Sequence, residues 1–196
     1  MTSRNPKTAR GPIRRILLAA ILAPVLTAVL AGGWAGYLQL VGNIHTVERG
    51  ELYRSAQLDG PALEAVIRQD GIATVLNLRG ANPGTPWYAQ ELAATAAAGA
   101  THLDLSLSAN RKPDEKTLRR LIEILHTAPR PLLIHCMSGA DRSGLAAALY
   151  DLLEAHEPPG EAAEQLSFRY GHFPWLTSRS GAMDATFWAV ADKAGS

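Results

Sequence analysis

The chain has 196 residues, 19 basic against 18 acidic side chains and a single cysteine, for a formal charge of +1. That balance leaves no basic surplus for gripping nucleic acid, and one cysteine excludes any disulfide within the chain. Length and a 47% hydrophobic content suit one domain with a full core.

Residues 1–15 carry Arg4, Lys7, Arg10, Arg14 and Arg15 and no acid. From Ile16 to Val41 there are 26 positions without a charge. At helical rise such a run spans about 39 Å, more than the roughly 30 Å hydrocarbon core of a bilayer. Pro24 and the glycines at 32, 33 and 36 are tolerable in a membrane helix, and Trp34 and Tyr37 suit its far interface. The pattern predicts a basic cytoplasmic tail over 1–15, a single-pass transmembrane anchor over 16–41, and a folded domain over 43–196. In a bacterial cell this is an inner-membrane protein whose folded domain faces the periplasm. The other reading is a cleavable signal, with Ala31-Gly32-Gly33 as the small residues at the cut, although the apolar stretch runs long for one. Either way the domain is exported. Without the five basic residues of its tail, the chain holds 14 basic and 18 acidic side chains, a formal charge of −4, and nucleic acid is not an expected partner. A thiolate there faces an oxidising compartment with no second cysteine to protect it.

Beyond residue 43, strand patterns near 51–54, 73–78, 101–107 and 131–135 alternate with helical patterns near 61–69, 87–98, 114–127 and 143–155. Pro61 and Pro113 mark helix starts, and Gly71 and Gly99 follow helix ends. This alternation predicts an α/β fold, a mainly parallel sheet with helices on both faces. Past Pro158-Pro159-Gly160, further helical sections are expected over 160–170 and 181–193. Between them His172 stands beside Phe173 and Trp175, which reads as a packed cap, the mouth of a pocket being the other reading.

The only cysteine opens the most informative segment. His135-Cys136-Met137-Ser138-Gly139-Ala140-Asp141-Arg142-Ser143-Gly144 follows the apolar run Pro131–Ile134 and precedes the helical run Leu145–Leu153. A strand, a tight glycine-containing loop and a helix N-terminus are the parts of an anion cradle. The same field pushes a cysteine at the start of the loop toward thiolate. An arginine six residues later can grip two phosphate oxygens at once. The combination predicts a phosphate site built around a nucleophilic sulfur.

Cys136-x5-Arg142-Ser143, with His135 before it and Gly139 inside it, resembles the signature loop of the cysteine-dependent protein tyrosine and dual-specificity phosphatases. Upstream, Arg49-Gly50-Glu51-Leu52-Tyr53-Arg54-Ser55-Ala56-Gln57-Leu58 and Gly71–Arg79 are similar to the opening strand, helix and second strand of compact members. The resemblance covers roughly Val47 to Tyr170. It implies that Cys136 attacks phosphorus to form a thiophosphoryl-enzyme, and that Arg142 and the amides from Met137 through Ser138, Gly139 and Ala140 to Arg142 hold the phosphoryl oxygens. It further implies that Ser143 donates to the thiolate, that His135 orients the loop, and that no cofactor or metal takes part.

The general acid is open among three aspartates. Asp104 lies in an alternating strand pattern, and Asp114 after Pro113 also fits a helix start. Asp141 is preferred, because lipid-directed members such as the myotubularin-like and secreted bacterial phosphatases resemble this chain in placing Asp-Arg there. A structural hydrogen bond is the plainer role for Asp141. Arg54 and Arg79 end two strands on the side of the cysteine and are candidate phosphate contacts, salt bridges being the alternative. Arg111 and Lys112 are candidates to overhang the site. Expected substrates are a phosphorylated protein or a membrane lipid or glycolipid phosphate, with the lipid preferred. The non-enzyme alternative is a membrane-anchored module that binds phosphate without hydrolysing it. A sulfurtransferase of the rhodanese type fits poorly with Arg142 and Ser143.

Overall fold

The computed structural model describes residues 10–175 and 177–195. Positions 1–9 of the expected basic tail lie outside the described residues. The chain divides into two compact units, one ending at Tyr37 and the other beginning at Leu38. The first is the long helix α1 (Arg10–Leu40) up to Tyr37. Within α1, Leu18–Leu40 is 23 residues long with mean hydropathy 1.9, long and apolar enough to cross a membrane. The second unit takes in the last turn of α1. It therefore starts ahead of the expected boundary at 43, because Leu38 is buried in its core.

The second unit is an α/β fold on a five-stranded sheet. Its strands are β1 (His45–Glu48), β2 (Leu52–Ser55), β3 (Thr74–Asn77), β4 (Thr101–Asp104) and β5 (Leu132–His135), in the spatial order β1-β2-β5-β3-β4. Only β1 is antiparallel to its neighbour. The three central strands are buried at every position, with apolar residues at their middles and polar ones, Arg54, Ser55, Asn77 and His135, toward their C-terminal ends. Alternate residues feed two cores. Leu52, Leu76, Leu132 and Ile134 pack with α4 (Glu115–Thr127), α5 (Asp141–Leu153) and α7 (Gly181–Ala194). Tyr53, Val75 and Leu133 pack with α2 (Gly60–Asp70) and α3 (Pro86–Ala97).

Local chemistry sets the element ends. Asp59 caps α2 by accepting from Ala62 N at 2.8 Å, and Gly71 closes the helix in the left-handed region. The strand expected over 101–107 stops at Asp104, level with the end of β3 at Asn77. The helical section expected over 160–170 is instead α6 (Pro159–Ala162) and two 3-10 turns, Ala163–Leu166 and Phe168–Tyr170, separated by an extended Ser167. Strand β5 ends in the middle of the sheet, with His135 level with Ser55 of β2 and Asn77 of β3. The residues that follow it lie at the C-terminal edge, where parallel sheets hold their ligands.

Candidate active site

The loop from Cys136 to Arg142 joins β5 to α5, and its shape follows from what holds its carbonyl groups. Met137 O accepts from Gln57 N at 3.3 Å, and Ser138 O accepts from Gln39 Nε2 at 3.1 Å and Asn43 Nδ2 at 2.9 Å. Gly139 O and Ala140 O accept from Arg54 Nη2 at 2.8 and 3.1 Å. Four successive carbonyls are thus bound on the outside of the turn. A peptide whose C=O points outward turns its N–H inward, toward the sulfur and the start of α5. Gly139 has φ +72°, and a Cβ there would lie 2.6 Å from Ala56 N, so the turn requires glycine.

Inside the turn Cys136 is 1% exposed. Burial pushes its thiol up, yet Arg142's positive charge, the Ser143 hydroxyl and the backbone amides of Ser143 and Gly139 outweigh it and hold the thiol below its usual range. Ser143 Oγ is fully buried at the start of α5, where its hydroxyl acts on the Cys136 thiol. Arg142 donates from Nη1 to Leu107 O at 3.4 Å, a long bond to the strand-to-helix loop above β4. Arg79 approaches from the end of β3, its guanidinium stacked 3.9 Å from the centre of the Trp87 ring. Burial, then the like charge of Arg142, lowers its affinity for a proton, so two cations converge on one thiolate.

Arg54 takes a different place from the expected one. It is completely buried behind the loop, where its Nη1 also donates to Gln165 O and Oε1, both at 2.8 Å, and its plane lies 4.2 Å from the Tyr170 ring centre. Its Nη2 is committed to the loop's carbonyls and its Nη1 to Gln165, and from this buried position it shapes the cradle from behind. His135 sits beside the equally buried Glu91, Nε2 to Oε1 at 3.2 Å, and Glu91 also meets His102 at 2.7 Å. Burial alone would raise the Glu91 pKa, but the two histidines bring it down to about 2.

The three candidate acids are separated by their partners. Asp104 accepts from Asn77 Nδ2 at 2.8 Å through one oxygen and from the Tyr88 hydroxyl through the other. Asp114 is the exposed N-cap of α4, accepting from Thr117 N at 2.7 Å. Asp141 is the first residue of α5 and the only one of the three inside the loop, with Oδ1 2.7 Å from His172 Nδ1. His172 is packed, as one of the two readings expected, and is not an open pocket wall. It is sealed between Asp141 and Asp184, whose Oδ2 lies 2.9 Å from its Nε2. Arg111 and Lys112 line a cleft of about 490 Å³ with Ser108, Pro113 and Asp114, next to Leu107. Asp184, Glu91, Gln39 and Asn43 carried no motif signal. Among the described residues no group of three or more His, Cys, Asp or Glu side chains is placed to hold a metal.

Residues 35–158 match the tyrosine phosphatase family. The chain belongs to that family. This phosphatase is similar in structure to TpbA of P. aeruginosa, at 25% sequence identity and a TM-score of 0.55 over 76% of this chain and 91% of that one. PTPMT1 aligns at 17% identity and a TM-score of 0.58, covering 78% of this chain and 98% of that one. Tk-PTP in its active form aligns at 17% identity and a TM-score of 0.55, covering 74% and 97%. TpbA has also been determined in complex with phosphotyrosine, and PTPMT1 in complex with PI(5)P. Comparison with curated protein sequences gives no match. The family hydrolyses phosphate monoesters, and this chain is a phosphatase.

Proposed function

We propose that this phosphatase works through a thiophosphoryl-enzyme formed on Cys136, and that its substrate is a phosphorylated lipid or glycolipid at a membrane surface. The observation that carries the chemistry is the buried Cys136 sulfur, held toward thiolate by Arg142 and Ser143 inside a turn with four successive carbonyls bound from outside. The substrate's phosphoryl oxygens take the inward amides of the turn and the guanidinium of Arg142, with Arg79 adding positive charge at the rim. Cys136 Sγ attacks phosphorus, the P–O bond to the leaving group breaks, and Asp141 protonates the departing oxygen. Water then attacks the thiophosphate and gives its proton to Asp141. Ser143 stabilises the thiolate as it leaves.

The membrane reading rests on chain continuity and on the loop's surroundings. Residues 16–41 serve as an anchor, 1–15 as its cytoplasmic flank, and the catalytic domain faces the periplasm. Gln39, in the last turn of the apolar helix, bonds the loop itself. Met137, in the loop, is 65% exposed, and Phe173 and Trp175, next to His172, also show apolar surface. Exposed side chains of this kind suit an acyl or interfacial neighbour better than a soluble peptide. The phosphotyrosine complex of TpbA and the phosphoinositide complex of PTPMT1 mark the two substrate classes among relatives.

The test is turnover by the full chain in detergent micelles on an aryl phosphate, a phosphotyrosyl peptide and a panel of phosphorylated lipids, beside Cys136→Ser. The reading expects Cys136-dependent release of phosphate from all three, fastest from a lipid. Ligand binding without hydrolysis would point to a phosphate-binding module, and a peptide preference would overturn the lipid assignment.

A further inference from the structure

The pairing of Asp141 with His172 and Asp184 has a chemistry that the thiolate mechanism does not use. His172 is 0% exposed, so its ring has no direct route for a proton to solvent. Each ring nitrogen lies within hydrogen-bond distance of a carboxylate, Nδ1 to Asp141 Oδ1 at 2.7 Å and Nε2 to Asp184 Oδ2 at 2.9 Å. A neutral imidazole has one N–H, so two such bonds to carboxylates require one further proton. That proton lies either on the ring or on a carboxyl beside it. The two aspartates are partly exposed, 24% for Asp141 and 32% for Asp184, and stand at either end of a sealed ring.

Resting on the reading of Asp141 as the general acid, we propose that His172 and Asp184 form a relay that stores the proton Asp141 delivers. In the resting enzyme the proton sits on Nδ1, directed at Asp141 Oδ1. As the Cys136 Sγ–P bond forms and the P–O bond breaks, that proton passes through Asp141 to the leaving oxygen. His172 is left as a neutral imidazole with its Nε2–H on Asp184. When water attacks the thiophosphate, its proton returns through Asp141 to Nδ1 as the S–P bond breaks. Charge and protons balance over the cycle.

The surrounding chain holds the ring for this task. His172 N donates to Ser167 O at 3.2 Å, and Phe173 O accepts from Ser180 Oγ at 3.2 Å, which fixes the segment on both sides. The charged groups acting on the ring are Asp141 from α5 and Asp184 from α7, while Arg54 from β2 acts on Asp141. Burial alone would make His172 shed its proton, but the two carboxylates reverse that and raise its pKa. His172 and Asp184 are positioning residues, since Asp141 alone meets the substrate.

Dependence on the leaving group separates a relay from a structural pin. An activated aryl oxide departs with little need of a proton, whereas an alkoxide needs one. In the full chain in micelles, His172→Gln should lose at least tenfold more kcat on an alkyl phosphate than on an activated aryl phosphate. Asp184→Asn, which keeps an acceptor on Nε2 and removes the charge, should move the basic limb of the alkyl-phosphate profile to lower pH. In Cys136→Ser, 15N NMR of the ring should show an imidazolium at neutral pH that becomes neutral in the added presence of Asp184→Asn. Equal losses on both substrates with a lowered melting temperature, or a neutral ring in Cys136→Ser, would overturn the relay. If the wild type shows no Cys136-dependent turnover of the aryl phosphate, the catalytic reading itself fails, which is a different result.

Discussion

Gln39 Nε2 donates to Ser138 O at 3.1 Å, joining the last turn of the apolar helix to the middle of the catalytic loop. Asn43 completes the clamp from a buried position, donating from Nδ2 to Ser138 O and to Tyr170 O, both at 2.9 Å, while its Oδ1 meets His45 Nε2 at 2.8 Å. Asn43→Ala orphans these buried groups and should cost about 1–3 kcal/mol of stability. Gln39→Ala breaks one exposed bond and should cost about 0.5–1 kcal/mol. Both should lower kcat on an aryl phosphate, Asn43→Ala more. A chain shortened to begin at residue 43 should show the Gln39→Ala defect or worse. Denaturant unfolding beside turnover checks the order.

The catalytic loop was legible because its information is local. A strand, a glycine that must adopt a positive φ, a cysteine, an arginine and a helix start all fall within ten positions, and each type has one physical reason to be there. The central strands were legible for a related reason, since burial on both faces favours short apolar runs such as Leu132-Leu133-Ile134 and Val75-Leu76. What escaped notice is carried by long-range bonds. Gln39 and Ser138 are 99 residues apart, and Gln39 is an unremarkable polar residue at a helix end. Strand β1 is a short polar edge with a register shift between Thr46 and Glu48, so no apolar alternation announces it. The segment 160–170 has helical composition but breaks at Ser167, and the turn before that break sets the Gln165 carbonyl on Arg54. Arg54 is open in sequence between a phosphate contact and a role holding the loops, and in the fold it holds the catalytic loop through carbonyls. Sequence gives a strand end but not which donors are consumed behind it.

Arg54 holds the outer side of the catalytic loop. Burial lowers its pKa to about 10, so it stays charged at neutral pH while serving carbonyls of the loop and both acceptors of Gln165. Arg54→Met keeps much of the volume and leaves those acceptors without a donor, at about 1–3 kcal/mol for each one that finds no water. The variant should lose turnover completely if it folds, and phosphate should no longer protect it from thermal unfolding. Retained activity would show that the loop's shape does not depend on its outer bonds.

The thiol of Cys136 should react as a thiolate below the usual pH range of a cysteine. Its pKa is held down against burial by Arg142 and by Ser143, so the reactive form persists above that lowered value and disappears below it. Ser143→Ala should move the pH profile of iodoacetamide alkylation upward, because one hydrogen bond that favours the charged form is gone. Arg142→Lys keeps the charge and loses the fork, and should cost roughly 10²–10³ in kcat. A Ser143→Ala profile that does not move would remove Ser143 from the thiolate's support.

Glu91 makes a prediction about acid stability. Its carboxyl is nearly sealed and titrates at about 2 against an ordinary value of 4.5, because His102 and His135 outweigh the effect of burial. A group with a depressed folded pKa contributes stability that is fully present above its unfolded value and is lost as pH falls through the folded one. The window for Glu91 is therefore from about 4.5 down to about 2. Glu91→Gln keeps the shape and removes the charge, so it should be less stable than the wild type at neutral pH, with both histidines losing their partner. The gap between the two proteins should close as pH drops through that window, read from thermal melts at successive pH values. A gap that stays constant to pH 2 would mean that packing, and not the charge behind His135, is what Glu91 supplies to the strand that carries Cys136.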